Sequence, residues 1–517
     1  MKKSPLIVLL ALIISYSLGY SANISNFNFS VTFGQHPVGF RVVHQYDYSR
    51  VYNSAFNLEG IPAIGERARP IQTLIWYPAQ PDSSARSMPY GKYFELLATE
   101  ENFNADSAQR EAAIKAALAF YGVAEKLETE RVQPTRALWE AKPASGRFPV
   151  VIYAPSFSCP AFENSDLCEY LASHGYIVVA SPDMGARSRY MTMDIHGIQT
   201  QVADIEFLVG YLRNIPQANT AQIAVVGYSW GGISNVFAAV QDDRIKALVG
   251  LDGTIRYGND YLKEAKYVTP SRLIVPLLFL AQRTPSLEEL AQDGFDISAS
   301  FLNDIKYSDF HLISFNGMSH GDFSSGWIRL RPDEMFAEYT AFEVSESYSW
   351  MTRYLLQFLN AYLKSDESAR AFLKDSPGKN GVPRHLLTAQ FRPALRPAPT
   401  VPDFARELAK QGFDKAPLIW REAKKKDAGF MLPEEEVKAL GKQLMRGGKL
   451  NHAIAVFKLN VTMYPESYGN YDSLAEAQAA AGDIQGAIAN YKKSLDLNSD
   501  NANAAEQLKT LESKLRK

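Results

Sequence analysis

From Phe148 onward, short apolar runs alternate with longer amphipathic ones. Val150–Ala154 (VVIYA), Tyr176–Ser181 (YIVVAS), Ile223–Val226 (IAVV), Ala247–Asp252 (ALVGLD), Pro276–Ala281 (PLLFLA) and His311–Phe315 read as strands. Between them, a segment ending at His174, then Gln199–Arg213 and Ile233–Val240, carry helical spacing, and a long helix runs from about Ser345 to Lys364. Such alternation predicts a parallel sheet covered by helices on both faces. Ahead of it, Phe27–Phe33 (FNFSVTF), Phe40–Tyr46 and Gln72–Tyr77 have strand composition and predict antiparallel strands that open the sheet, the last stopping at Pro78. Residues 82–135 are more polar, with a helical stretch at Ser107–Tyr121. They read as an insert, either a lid over a site or a peripheral decoration.

Beyond this pattern, Pro, Gly and basic residues crowd positions 366–402 and mark a domain edge. Residues 401–432 read as a charged helical linker, with Lys424–Lys426 as a solvated face. From residue 433 a repeat begins. Gly448, Ala453, Ile454, Phe457 and Val461 recur 34 residues later as Gly482, Ala487, Ile488, Tyr491 and Leu495. Small residues at helix crossings and an aromatic in the second helix resemble tetratricopeptide repeats. About two copies fit, fewer than a free-standing stack needs, so the repeats are expected to dock on the preceding helices or on the α/β domain. A structural cap and a surface for a protein partner both stay open.

The first 21 residues stand apart. Lys2 and Lys3 precede Leu6–Ile14, and Gly19 and Ser21 are small. This order reads as a secretory signal peptide, which predicts a secreted or periplasmic protein. The apolar run is too short to span a bilayer, and no later segment is long enough. The formal net charge of −2, with no long basic run, argues against nucleic acid as a partner. Two cysteines, Cys159 and Cys168, either pair across a small loop or stay apart, with Cys168 buried on a helix face. No Cys/His cluster has metal-site spacing, so no metal is expected.

Candidate chemistry concentrates in Gly227-Tyr228-Ser229-Trp230-Gly231-Gly232. A strand, a Gly-x-Ser-x-Gly turn and a helix in this order resemble the nucleophile elbow of the α/β hydrolases, with Ser229 at the apex. A serine hydroxyl needs a base to take its proton and an acid to orient that base. In this fold they follow in the order Ser, Asp or Glu, His. Four histidines follow Ser229: His311, His320, His385 and His452. His311 opens a strand, His385 lies in the domain edge and His452 in the repeats. His320, in the turn Gly317-Met318-Ser319-His320-Gly321, sits on a flexible loop at the carboxyl edge and is the candidate base. For the acid, Asp252 ends the strand after the nucleophile. The next strand leads into Leu280–Pro285 with no carboxylate before Glu288, so Asp252 is chosen.

RPIQTLIWYPA (Arg69–Ala79), FPVVIYAPSF (Phe148–Phe157), LASHGYIVVASP (Leu171–Pro182), GYSWGG, GLDG and GMSHGDF together resemble the platelet-activating-factor acetylhydrolase and dienelactone-hydrolase-like branch of the α/β hydrolases. The resemblance spans roughly residues 40–375. It implies an α/β-hydrolase domain at 22–400, followed by the all-α region at 433–517. It also implies a serine esterase cleaving small-molecule or lipid-like carboxylic esters through an acyl-enzyme, without calcium or any cofactor. An acid after the strand that follows the nucleophile matches Asp252. One departure lies in the oxyanion loop, where the branch usually carries His-Gly and this chain has Ala154-Pro155-Ser156-Phe157-Ser158. Proline has no N–H to donate, so the amides of Phe157 and Trp230 are the expected oxyanion donors. A register shift would substitute Ser158. Amide or peptide hydrolysis on the same fold, and a silent domain that merely presents the repeats, remain alternatives.

Overall fold

A computed structural model of the protein describes residues 25–515, apart from 57–58, 63–64, 122–123, 284–300, 337–338, 396–399, 427–429 and 431. The expected signal segment at 1–21 and Glu288 lie outside the described residues. The chain divides into two compact units, Met1–Ala394 and Leu395–Lys517.

In the first unit the strands are β1 (Val38–Val51), β2 (Ala68–Pro78), β3 (Ser87–Pro89), β4 (Pro134–Trp139), β5 (Phe148–Ala154), β6 (Ile177–Ala180), β7 (Ala218–Tyr228), β8 (Ile245–Leu251), β9 (Leu277–Ala281), β10 (Phe310–Phe315) and β11 (Leu387–Arg392). They form one sheet in the order β11-β10-β9-β8-β7-β5-β6-β2-β1-β4-β3. The six strands from β6 to β10 run parallel, and β2 is antiparallel to both β1 and β6. This is the α/β-hydrolase fold. The strands read as unbroken apolar runs because both faces are covered. Val151, Tyr153, Ala224 and Val226 point into a core shared with the helices Ser165–Ser173 and Ala341–Leu363. Val150, Ile152, Ile223 and Val225 point into a second core, under the helices Ile195–Tyr211 and Gly231–Gln241.

The chain passes from β5 to β6 on one side and then returns to β7 on the other. The order therefore reverses between β5 and β7, and a crevice opens there at the carboxyl ends. Asp204, on the helix Ile195–Tyr211, ties the neighbouring loop down. Its carboxylate takes the buried guanidinium of Arg69 at 2.6 Å, and Arg69 donates onward to the carbonyls of Met184 and Gly185. Asp204→Ala leaves that cation buried and unpaired, and is expected to lower the unfolding free energy by about 3–5 kcal/mol in urea melts. A change below about 1 kcal/mol would show the pair to be dispensable.

One expectation along the chain is corrected and another refined. Phe27–Phe33 is not a strand. Its aromatic side chains pack against Tyr170 and Tyr348, and its amides find other acceptors: Asn28 and Ser30 donate to the hydroxyls of Ser345 and Ser349 on the long helix. The stretch 366–402 does contain the division between the two units, between Ala394 and Leu395, but most of it belongs to the first unit. It holds the helix Glu367–Lys374 and then β11, which pairs antiparallel with β10. The insert supplies β3, β4 and helices between them. Arg329 binds it to the rest of the unit, reaching Glu130 of the insert at 2.7 Å and Asp166 at 2.6 Å.

In the second unit, helices follow one another from Val401–Gln411 to Ala502–Leu515. Val401, Phe404 and Ile419 of the first two share a core with Val437, Val456 and Leu459, so the expected docking on the preceding helices is what the structure has. Gly448 and Gly482 both take positive φ, 71° and 86°, in the turns between helices, which only glycine enters without strain. Among the described residues, no helix is long and apolar enough to cross a membrane.

Candidate active site

β7 delivers the chain to Ser229, which takes a φ of +50°, a left-handed conformation unfavourable to any side chain. The turn is held by the Ser229 N–H donating to the carbonyl of Leu251 at 3.0 Å. Gly227 and Gly231 are required by space. A Cβ on Gly227 would lie 2.0 Å from the Gly231 carbonyl oxygen, and one on Gly231 would lie 2.1 Å from that of Ala154. The strand and the helix after it therefore cross at backbone contact, and the serine is lifted over the crevice.

Asp252 follows β8, also at positive φ (41°), with its N–H bound to the Leu280 carbonyl at 2.7 Å. Its buried carboxylate has two partners. Oδ1 accepts the Gln282 N–H at 3.1 Å, and Oδ2 lies 2.7 Å from Nδ1 of His320. Nε2 of the same ring lies 2.8 Å from Oγ of Ser229. A carboxylate only accepts, so Nδ1 carries the imidazole proton and Nε2 is left to accept from the serine. The structure thus brings Ser229, His320 and Asp252 into one hydrogen-bonded line.

His320 follows β10 at the carboxyl edge, as expected, and opens a short 3-10 turn, His320–Phe323. Asp322 accepts from both the amide and the hydroxyl of Ser319 and pairs with Arg331 at 2.7 Å. Tyr228, next to the nucleophile, donates to the His320 carbonyl at 2.8 Å. The other histidines are elsewhere. His311 is buried in β10, bonded to the Tyr362 hydroxyl at 2.9 Å, and burial pushes its pKa down to about 4. His385 lies before β11, and His452 stacks on Phe413 in the second unit.

The loop after β5 runs beside the elbow, because Ala154 pairs with Gly227. The Ser158 amide donates to Oδ2 of Asp183 at 2.8 Å and is not free for a substrate. The amides of Phe157 and Trp230 have no protein acceptor among the described residues, and their rings meet edge to face at 5.6 Å. Sequence reasoning missed two residues here, Asp183 and Glu163. Burial pushes both carboxyls above their usual range. Their signal is faint: Glu163 stands among polar residues, in Phe162-Glu163-Asn164-Ser165-Asp166, and Asp183 follows Ser181-Pro182 in a loop.

A cavity of about 350 Å³ opens beside Ser229 and His320. Tyr90 and Phe94 of the insert, Phe157, Phe162, Trp327 and Leu330 give it large apolar walls, with no Lys or Arg among its described lining residues. Cys159 lines it too. Cys159 and Cys168 are not joined in a disulfide, so that option is not taken up; Cys168 is buried on the helix Ser165–Ser173 and burial pushes its thiol up. Among the described residues no cluster of His, Cys, Asp or Glu could hold a metal ion.

The chlorophyllase family model matches residues 115–259, a stretch that holds Ser229 and Asp252 but ends before His320 and covers less than half of the chain. The solved ferulic acid esterase from Streptomyces cinnamoneus is similar at 19% identity, over 66% of this chain and 94% of that one, with a TM-score of 0.46. No curated protein matches.

Proposed function

We propose that the protein is a serine hydrolase of carboxylic esters. The observation that carries this reading is the line from Ser229 through His320 to Asp252, at 2.8 and 2.7 Å, on a strained elbow. In the proposed reaction Nε2 of His320 takes the Ser229 proton as Oγ attacks the ester carbonyl. The amides of Phe157 and Trp230 hold the oxyanion, and Asp252 stabilises the imidazolium. His320 then protonates the leaving alcohol, and water hydrolyses the acyl-enzyme by the same route. The chemistry needs no cofactor. The chlorophyllase match over the nucleophile region points the same way.

Ester hydrolysis is favoured over carboxypeptidase action by the cavity wall, which among its described lining residues offers no Lys or Arg for a peptide carboxylate. Aromatic walls suit neutral apolar groups. The finer placement in the acetylhydrolase and dienelactone-hydrolase-like branch rests on the GYSWGG, GLDG and GMSHGDF segments, and export rests on residues 1–21. A fluorophosphonate probe is expected to label the wild-type protein at Ser229. Absence of labelling on folded protein would favour a silent binding module. Among p-nitrophenyl esters, butyrate and hexanoate are expected to be cleaved at least as well as acetate, because a cavity of about 350 Å³ has room beyond an acetyl group. A strict acetyl preference would contradict the role given to the cavity.

A further inference from the structure

We propose that Glu163 is a positioning residue for the oxyanion loop: by holding both the amide and the hydroxyl of Ser156, it leaves the next amide, that of Phe157, free for the ester carbonyl. The proposal rests on the esterase reading above.

Four residues after β5 divide the work by their backbone. Pro155 has no N–H, and its carbonyl accepts from Nε2 of Gln201 at 2.8 Å. Ser156 gives its N–H to Oε1 of Glu163 and its hydroxyl to Oε2, both at 2.6 Å. Phe157 gives its N–H to no protein group among the described residues. Ser158 gives its N–H to Asp183 at 2.8 Å and takes a φ of +55°. Two carboxyl groups thus clamp the amides on either side of the one left free. A loop with competing local hydrogen bonds would otherwise have several conformations, and a donor aimed in advance is what oxyanion stabilisation needs.

Glu163 is itself held. It is 7% exposed, and Tyr153 of β5 donates its hydroxyl to Oε1 at 3.0 Å. Asn164 then bonds the Tyr153 hydroxyl and the carbonyl of Phe323, both at 2.8 Å. Phe323 closes the turn that His320 opens, so loop and base share one buried network. Glu163 also lines the cavity, which raises the rival role of a purely steric wall.

The two roles separate in kinetics. Glu163→Ala is expected to lower kcat by about 100-fold, as a misplaced donor does, with KM within about threefold of wild type. Inhibition by a trifluoromethyl ketone, whose Ser229 adduct carries an oxyanion, is expected to weaken by the same factor as kcat/KM. In Glu163→Gln the amide oxygen still accepts the Ser156 N–H while the NH₂ donates to its hydroxyl, so most of the loss is expected to be recovered. An unchanged kcat in Glu163→Ala, a loss carried by KM alone, or an equal loss in both variants would overturn the proposal. If Glu163→Ala shows no cooperative melt, Ser156→Ala decides: a fall in kcat of about tenfold supports the clamp, and an unchanged kcat overturns it. A wild-type protein that neither cleaves esters nor takes the fluorophosphonate would remove the esterase reading instead.

Discussion

Ser229→Ala is expected to lower turnover on a p-nitrophenyl ester by about a million-fold, and His320→Ala by a similar factor. The double variant should lose little more than either single one. The reason lies in the 2.8 Å bond between Nε2 and Oγ: the hydroxyl attacks only as its proton leaves, so either partner alone does nothing. Residual catalysis of roughly a thousand-fold or more over water would come from the oxyanion amides and binding. Alanine keeps the elbow's positive φ, so both folding and thermal stability should stay near wild type. The decisive measurement is kcat for the three variants. A Ser229→Ala protein that keeps more than about one per cent of wild-type kcat would place the nucleophile elsewhere.

The second large effect is expected at Asp252. Asp252→Asn should lower kcat by about ten thousand-fold while leaving the structure intact. Its two partners dictate the outcome. The atom in the Oδ1 position must accept the Gln282 N–H, so the asparagine oxygen is held there and its NH₂ is turned to His320. Facing a donor, Nδ1 must become the acceptor, and the ring proton moves to Nε2. Nε2 then has no lone pair for the Ser229 proton. Solving the variant at high resolution with its kinetics would check both halves. A loss below about tenfold would show that Asp252 does not set the tautomer.

Local patterns made much of this legible in advance. IAVVGYSWGG could be read as an elbow because both glycines answer a steric demand at fixed spacing, with carbonyl oxygens 2.0 and 2.1 Å from where a Cβ would be. His320 followed from chain order, and Asp252 from the lack of a nearer competitor. Phe27–Phe33 misled because alternating phenylalanines usually mean a strand, whereas here serine hydroxyls some three hundred residues away take its amides. β11 was missed because LTAQFR is a polar, largely exposed edge strand amid glycine and proline.

By itself the sequence determined which segments are buried on both faces, where the chain must bend without a side chain in the way, and which hydroxyl, imidazole and carboxylate were candidates. Apolar periodicity, glycine sterics and side-chain chemistry all act within a few residues, so they are written in order along the chain. Only the tertiary structure decided that Asp252 Oδ2 and Ser229 Oγ meet opposite sides of one ring, and that the acids at 163 and 183 take the amides flanking Phe157. Those contacts depend on β5 lying beside β7 and on turns arriving at one sheet edge. Hydrogen bonds of this kind form between parts of the chain that share no local signal, and folding has to bring them together before they exist.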